Sequence, residues 1–240
     1  MEEWFGKISN EHFIPFSFSH IAMILIYIVA LVILLITYKK YAESDLLLNV
    51  FRWSIIVTLT LSELSYQTWS VVNGSWSAGE SLPLHLCSIA GIIVIIGLAT
   101  YNKKIITISF FIGFLPALLA IVTPELTYNY THFRFWHFFI HHIVLSFASI
   151  FLLLSSSVKI TVKYTLEAYG YLLIYAAIIG FLINPTLNSN YLFLSNTPTA
   201  DTLFDVLGDG IWYYINLCLL GLVVFIGQFG VLKLFIYKEK

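Results

Sequence analysis

The sequence predicts an all-α integral membrane protein with seven transmembrane helices, its N-terminus outside and its C-terminus cytoplasmic. Three observations carry this expectation. Of 240 residues, 59% are hydrophobic and 10% charged, with mean hydropathy +0.88, whereas a soluble domain has about a quarter of its residues charged. Seven stretches approach the ~20 mostly apolar residues that a spanning helix needs. Basic residues are concentrated at alternate ends of those stretches.

In chain order the expected spans cover about 20–38, 46–69, 82–101, 105–123, 135–154, 164–183 and 211–236. The second is the least apolar, since it carries Arg52 and Glu63. The third opens with Pro83, which suits the first turn of a helix. The fourth contains Pro116, a candidate kink. The connection 184–210 is long enough to be functional, and its Tyr191, Leu192, Phe193 and Leu194 are expected to fold back on the membrane surface. The sequence carries no internal repeat and reads as one polytopic membrane domain over 1–240. The acidic start MEEWFGK lacks the basic, apolar pattern of a cleaved signal peptide.

The orientation follows from the cations. Lys39, Lys40, Arg52, Lys103, Lys104, Lys159, Lys163, Lys233, Lys238 and Lys240 all fall on one side, which the positive-inside rule makes cytoplasmic. Lys7 and Arg134 remain outside. A net charge of −1 gives no footprint for nucleic acid. Two cysteines cannot make a disulfide framework.

On this map the unusual polar residues converge on the outer half. Charge at the bilayer centre costs at least ~2.5–3.5 kcal/mol, so such residues should face partners or a water-filled cavity. Glu63, Tyr66, Gln67 and Ser70 share one helical stripe, and Arg134, His137 and His141 another. His142 is turned about 100° from His141, and His85 about 200° from Cys87. Asn190 and Tyr191 follow the outer end of the sixth span.

Several chemistries are open to these residues. Cys87, in the first turn of its helix, gains from the positive end of the macrodipole and could be a nucleophile; the alternative is a small apolar filler. Cys218, among leucines, reads as filler. His137, His141 and His142 could hold zinc or form a polar network between helices. Arg134 could hold a lipid phosphate, anchor the interface, or pair with Glu63 or Glu125. Glu63 reads as an ion-pair or hydrogen-bond partner. His12 and His20 flank an interfacial segment, HFIPFSFSH.

The blocks ELSYQ (63–67), LPLHLC (82–87), HFRF (132–135), the pair His141–His142 and NYLFL (190–194) occur in that order. Together they resemble the YwaF-type bacterial integral membrane proteins over nearly the whole chain. That family is similar, more remotely, to a eukaryotic transmembrane lipid acyltransferase of ether-phospholipid metabolism, in which a cysteine carries the acyl chain with help from a histidine. The resemblance implies a bacterial cell-membrane protein, Cys87 as nucleophile and His142, in preference to His141, as base. His137 and His141 depart from the YwaF pattern, which weakens the metal reading.

The expected function is thus a membrane-embedded lipid acyltransferase or lipase. Cys87, His142, His141 and Glu63 would carry the chemistry, with Glu63 orienting an imidazole. Arg134, His85, His137, Tyr66, Gln67, Asn190 and Tyr191 would bind the phospholipid or other acyl lipid, without a metal or cofactor. An intramembrane zinc hydrolase using His137, His141 and His142 is one alternative. A non-enzymatic transporter or lipid-binding protein is another.

Overall fold

The computed structural model describes residues 2–8, 11–197 and 206–236. Its elements are helices: α1 Glu2–Phe5, α2 Phe18–Ala42, α3 Asp45–Val72, α4 Leu86–Thr100, α5 Lys103–Val122, α6 Phe133–Leu154, α7 Val162–Ile178, α8 Asn184–Leu187 and α9 Ile211–Val231. A π-helical turn, Ile179–Ile183, joins α7 to α8, and a 3-10 turn covers Tyr191–Phe193. Among the described residues the only β pairing is an isolated bridge between His12 and Tyr128.

Six helices are long and apolar enough to cross a membrane, which makes this a multi-pass membrane protein held in a bilayer. The expected third span over 82–101 is shortened to Leu86–Thr100, an apolar helix of 15 residues. At 1.5 Å per residue that is about 22 Å, less than a full hydrocarbon core. Side chains from neighbouring helices explain the late start. Gln67 Nε2 donates to the Ser81 carbonyl (2.6 Å), the Leu82 N–H donates to the Tyr191 hydroxyl (3.0 Å), and the Tyr175 hydroxyl donates to the Leu84 carbonyl (2.8 Å). Backbone groups of 81–84 therefore have partners without a helix. Pro83 lies in a turn, not in the first helical turn expected for it.

α6 is the centre of the bundle: 72% of its most apolar window is buried, against 17% for α2 and for α9. Small residues let α5 approach it, the usual device where lipid leaves no hydrophobic drive between helices. A Cβ on Gly113 of α5 would collide with the Ser149 side chain of α6. α5 runs through Pro116 without ending. Ser146 on α6 donates to the Phe114 carbonyl (3.0 Å), and Gln228 on α9 to the Phe111 carbonyl (3.1 Å). These donors flank the carbonyl whose partner the proline removes.

The late part of the sixth span also departs from expectation. The helix continues past 183 through the π turn to Leu187, and the 190–194 segment turns inward. Tyr191, expected at the membrane surface, is fully buried. Asn184 holds it there: its Nδ2 donates to the Tyr191 carbonyl (3.0 Å) and its Oδ1 accepts from the Tyr191 N–H (3.0 Å) and the Ser189 hydroxyl (2.9 Å). The rest of the long connection, 198–205, and the cations Lys238 and Lys240 lie outside the described residues.

Candidate functional site

The late turns of α3, the start of α4, the first turns of α6 and the end of the α7–α8 stretch meet at one end of the bundle. An N-terminal strap, residues 2–8, lies against them. Trp69 Nε1 donates to the Phe5 carbonyl (2.8 Å), His132 Nε2 to the Gly6 carbonyl (2.8 Å) and the Tyr128 hydroxyl to the Lys7 carbonyl (2.9 Å).

His132 also caps α6. Its Nδ1 accepts from the Arg134 N–H at 3.1 Å, so the ring must be neutral, with its proton on Nε2. Burial lowers the His132 pKa from the ordinary 6.5; the Gly6 bond opposes this and the Arg134 charge adds to it. The unfolded chain therefore takes up a proton more readily than the folded one. The contribution of His132 is fully present above 6.5 and is lost as pH falls through the lowered folded value. We expect amide exchange in residues 2–8, corrected for intrinsic rate, to accelerate on acidification below 6.5. His132→Asn should remove that pH dependence. Equal acceleration in the variant would place the sensitivity elsewhere.

Deeper in, the histidines divide their work by what each ring nitrogen touches. His137 Nδ1 accepts from Arg134 Nη1 (2.8 Å), so its Nε2–H donates to the Ser62 carbonyl (3.1 Å). His141 Nδ1 meets the Ser62 hydroxyl at 3.1 Å, which ties α6 to α3. Its ring lies in ordinary contact distance of α4, where a Cβ on Gly91 would sit 3.6 Å from His141 Cε1. His142 differs. Its Nδ1–H donates to the Phe138 carbonyl at 2.7 Å, and its Nε2 carries no hydrogen bond among the described residues. That lone pair is open, whereas both His137 nitrogens are taken and His141 has its Nδ1 bonded to Ser62.

Cys87 is half-buried in the first turn of α4, against the apolar core. Its sulfur makes no hydrogen bond to an imidazole among the described residues. His85 is the N-cap of α4 rather than a helical residue and gives no side-chain cap bond. Its ring packs against Tyr191 (centroids 4.9 Å apart) and Phe193 (5.9 Å). The N–H groups of the first turn of α4 are left uncapped by any side chain. Cys218 lies away from the histidines and lines an apolar groove of about 340 Å³ with Tyr169 and Tyr214.

Among the described residues Glu63 hydrogen-bonds no imidazole, contrary to expectation. Its Oε1 accepts from Gln67 Nε2 (2.8 Å), and Gln67 Oε1 accepts from Trp76 (2.9 Å). The neighbouring Ser62 takes the role expected of Glu63, bonding one histidine through its hydroxyl and another through its carbonyl. Sequence reading missed Ser62 because a serine in an apolar helix usually bonds its own backbone. Asn190 and Tyr191, expected to bind substrate, spend their polar atoms on the fold. Asn190 Oδ1 accepts from the Ser195 and Asn196 N–H groups, both at 2.9 Å. The Tyr191 hydroxyl joins Leu82 to the Ala78 carbonyl (2.8 Å).

Arg134 stands over Tyr66 (4.3 Å to the ring centroid) and Trp69 (5.3 Å). It makes no ion pair among the described residues, so the expected pairing with Glu63 or Glu125 is not formed. Nor do three His, Cys, Asp or Glu side chains form a metal-binding group among the described residues. Of the ligands a zinc site would use, His137 has committed both ring nitrogens to other partners and His141 its Nδ1.

Comparison with curated proteins gives no match, and comparison with solved structures gives none. A family model does match residues 15–228, covering both the histidine helix and the start of α4. The chain therefore belongs to the TMEM164 family of transmembrane proteins.

Proposed function

We propose that this protein is a lipid acyltransferase or lipase working through Cys87 and His142, with its histidine end facing the outer side of a bacterial cell membrane. The YwaF-type likeness and the basic-residue asymmetry belong to this reading. The observation that carries it is an uncommitted ring nitrogen, His142 Nε2, left with its lone pair because the Phe138 carbonyl fixes the tautomer. A base needs an open lone pair, and His137 has none to offer.

In the proposed reaction His142 Nε2 takes the Cys87 proton. The thiolate attacks the ester carbonyl of a lipid and forms a tetrahedral oxyanion. The uncapped N–H groups at the start of α4 suit that charge. The C–O bond then breaks, and the leaving lipid oxygen takes the proton from His142. A second hydroxyl, from a lysolipid or from water, returns its proton to His142 as it attacks the thioester, releasing the thiol. His141 acts as a positioning residue, bonded to α3 through Ser62 and packed beside Gly91 of the Cys87 helix. The thiol and imidazole come into contact with the substrate present, as catalytic hydrogen bonds commonly tighten on binding.

Purified protein should turn over at least one ester in a panel of acyl lipids and leave an acyl group on Cys87. Cys87→Ala should abolish both, while Cys218→Ala should leave both intact. Full turnover by folded Cys87→Ala would sink the cysteine mechanism.

A further inference from the structure

We infer that the bilayer is thinned around α4, so that the leaflet at the histidine end dips by about 8 Å toward the level of Cys87. The dip stands on helix lengths and on one exposed charge. Only its use in catalysis rests on the acyl-transfer reading.

α5 supplies the yardstick. It packs against α4 and shares its lysine end, where Tyr101 and Asn102 join the two helices. Lys103, Lys104, Lys159 and Lys163 are all exposed there and mark a polar boundary. From that boundary α5 rises about 30 Å to Val122, the full thickness of a hydrocarbon core. α4 rises only about 22 Å. Its start therefore lies about 8 Å below the level that α5 reaches.

Neighbouring helices put the chemistry at the same depth. Cys87 lies about 20 Å above Thr100 on α4. Tyr175, whose hydroxyl holds the Leu84 carbonyl just ahead of α4, lies about 20 Å above Val162 on α7. His142 lies about 18 Å above Leu154, and so about 14 Å below Phe133 at the histidine end of α6.

The chain above α4 does not suit hydrocarbon. Residues 81–85 are non-helical, and irregular backbone at membrane depth persists only inside protein or beside water. Glu80, just before them, is exposed. Its charge reaches the Tyr191 hydroxyl, which joins the Leu82 N–H to the Ala78 carbonyl. A carboxylate there is costly in hydrocarbon, so water and head groups must come down to it.

Lipid meets α4 directly. Ile96 is 41% exposed, and the half-buried Ile89 and Ile92 share its stripe by helical spacing. Local thinning is the standard response of a bilayer to a short apolar stretch. Lipid esters sit at the core boundary. A dip of this size brings the esters of neighbouring lipids to the level of Cys87 and His142 without lifting any lipid out of the membrane.

Spin labels measure the depth. Full-length protein carrying Cys87→Ala and Cys218→Ala is reconstituted in dioleoyl phosphatidylcholine vesicles, with one label at Ile89→Cys or at Ile28→Cys. Ile28 is on α2 and 47% exposed. It lies as far from Lys39 as Ile89 does from Thr100, about 16 Å. Depth is read from collisions with oxygen and with a water-soluble nickel chelate. The Ile89 label should lie about 8 Å shallower than the Ile28 label, with several-fold more nickel collisions. If Ile89→Cys does not fold, Ile92→Cys is compared with Val32→Cys on α2, and the same offset is expected. Equal depths in a folded pair overturn the inference. Ester turnover by the native chain is assayed in the same vesicles. A dip without turnover of any ester counts against the acyl-transfer reading alone, and turnover beside equal depths counts against the dip alone.

Discussion

His142→Gln is expected to lower acyl turnover by about 10²–10⁴-fold, the usual contribution of a positioned acid–base residue, with little loss of stability. The reasoning lies in how the ring is held. His142 makes one hydrogen bond, from Nδ1–H to the carbonyl one helical turn earlier. That carbonyl also has its place in the α-helical ladder of α6. Glutamine fills similar space and can keep a donor near Phe138, but offers no nitrogen base. His141→Gln should behave in the opposite way. Its ring bonds the Ser62 hydroxyl and lies beside Gly91 of α4, so the change should cost about 1–3 kcal/mol of stability and lower turnover only through misplacement of α4. Turnover and thermal unfolding measured on both variants decide the assignment. A dead His141→Gln enzyme of normal stability beside an active His142→Gln enzyme would reverse the two roles.

The second large effect is structural. Asn184→Leu should destabilise the protein by about 3 kcal/mol or more, since each of the three buried groups left unpaired costs about 1–3 kcal/mol. Asn184 is 3% exposed and serves three of them: the Tyr191 N–H, the Tyr191 carbonyl and the Ser189 hydroxyl. Leucine keeps the branched shape, with bulkier methyl groups, and supplies none of these partners. The damage should then spread. Tyr191 loses its seat, and its hydroxyl releases the Leu82 N–H and the Ala78 carbonyl, which lead into the Cys87 helix. Faster exchange of the Leu82 amide is the local signature, and a lowered unfolding midpoint the global one. Tyr191→Phe should free Leu82 while sparing the Asn184 bonds, at a smaller cost of about 1–2 kcal/mol. An Asn184→Leu protein with an unchanged midpoint and a protected Leu82 amide would show that the asparagine is dispensable.

The membrane character and most of the helices were legible because length and hydropathy are local properties. An apolar stretch such as 105–123 has to become a helix in lipid, where backbone groups find no other partner. Residues 82–85 broke the rule for a non-local reason. Leu82 and Leu84, and Ser81 just before them, bond through their backbone to the side chains of Tyr191, Tyr175 and Gln67, none of them near in sequence. The same logic separates the site readings. Helical spacing puts His137 and His141 on one face of α6, and their rings do stack, 6.0 Å apart. Spacing cannot say which ring nitrogens are already taken, and that decides what each histidine can do. Glu63 was singled out for its charge, yet the imidazole contacts belong to Ser62, one position away and turned about 100° around α3.

The strap at the N-terminus has a consequence for tolerance to change. Three side chains of the bundle grip it, and each grips a main-chain carbonyl: Phe5, Gly6 and Lys7. Apart from the Phe5 ring stacked on Phe133, what is recognised is the path of the chain and not its lettering. Residues 2–4 and Lys7 should therefore accept wholesale replacement, whereas a single deletion between Phe5 and Lys7 would throw every carbonyl out of register with its donor.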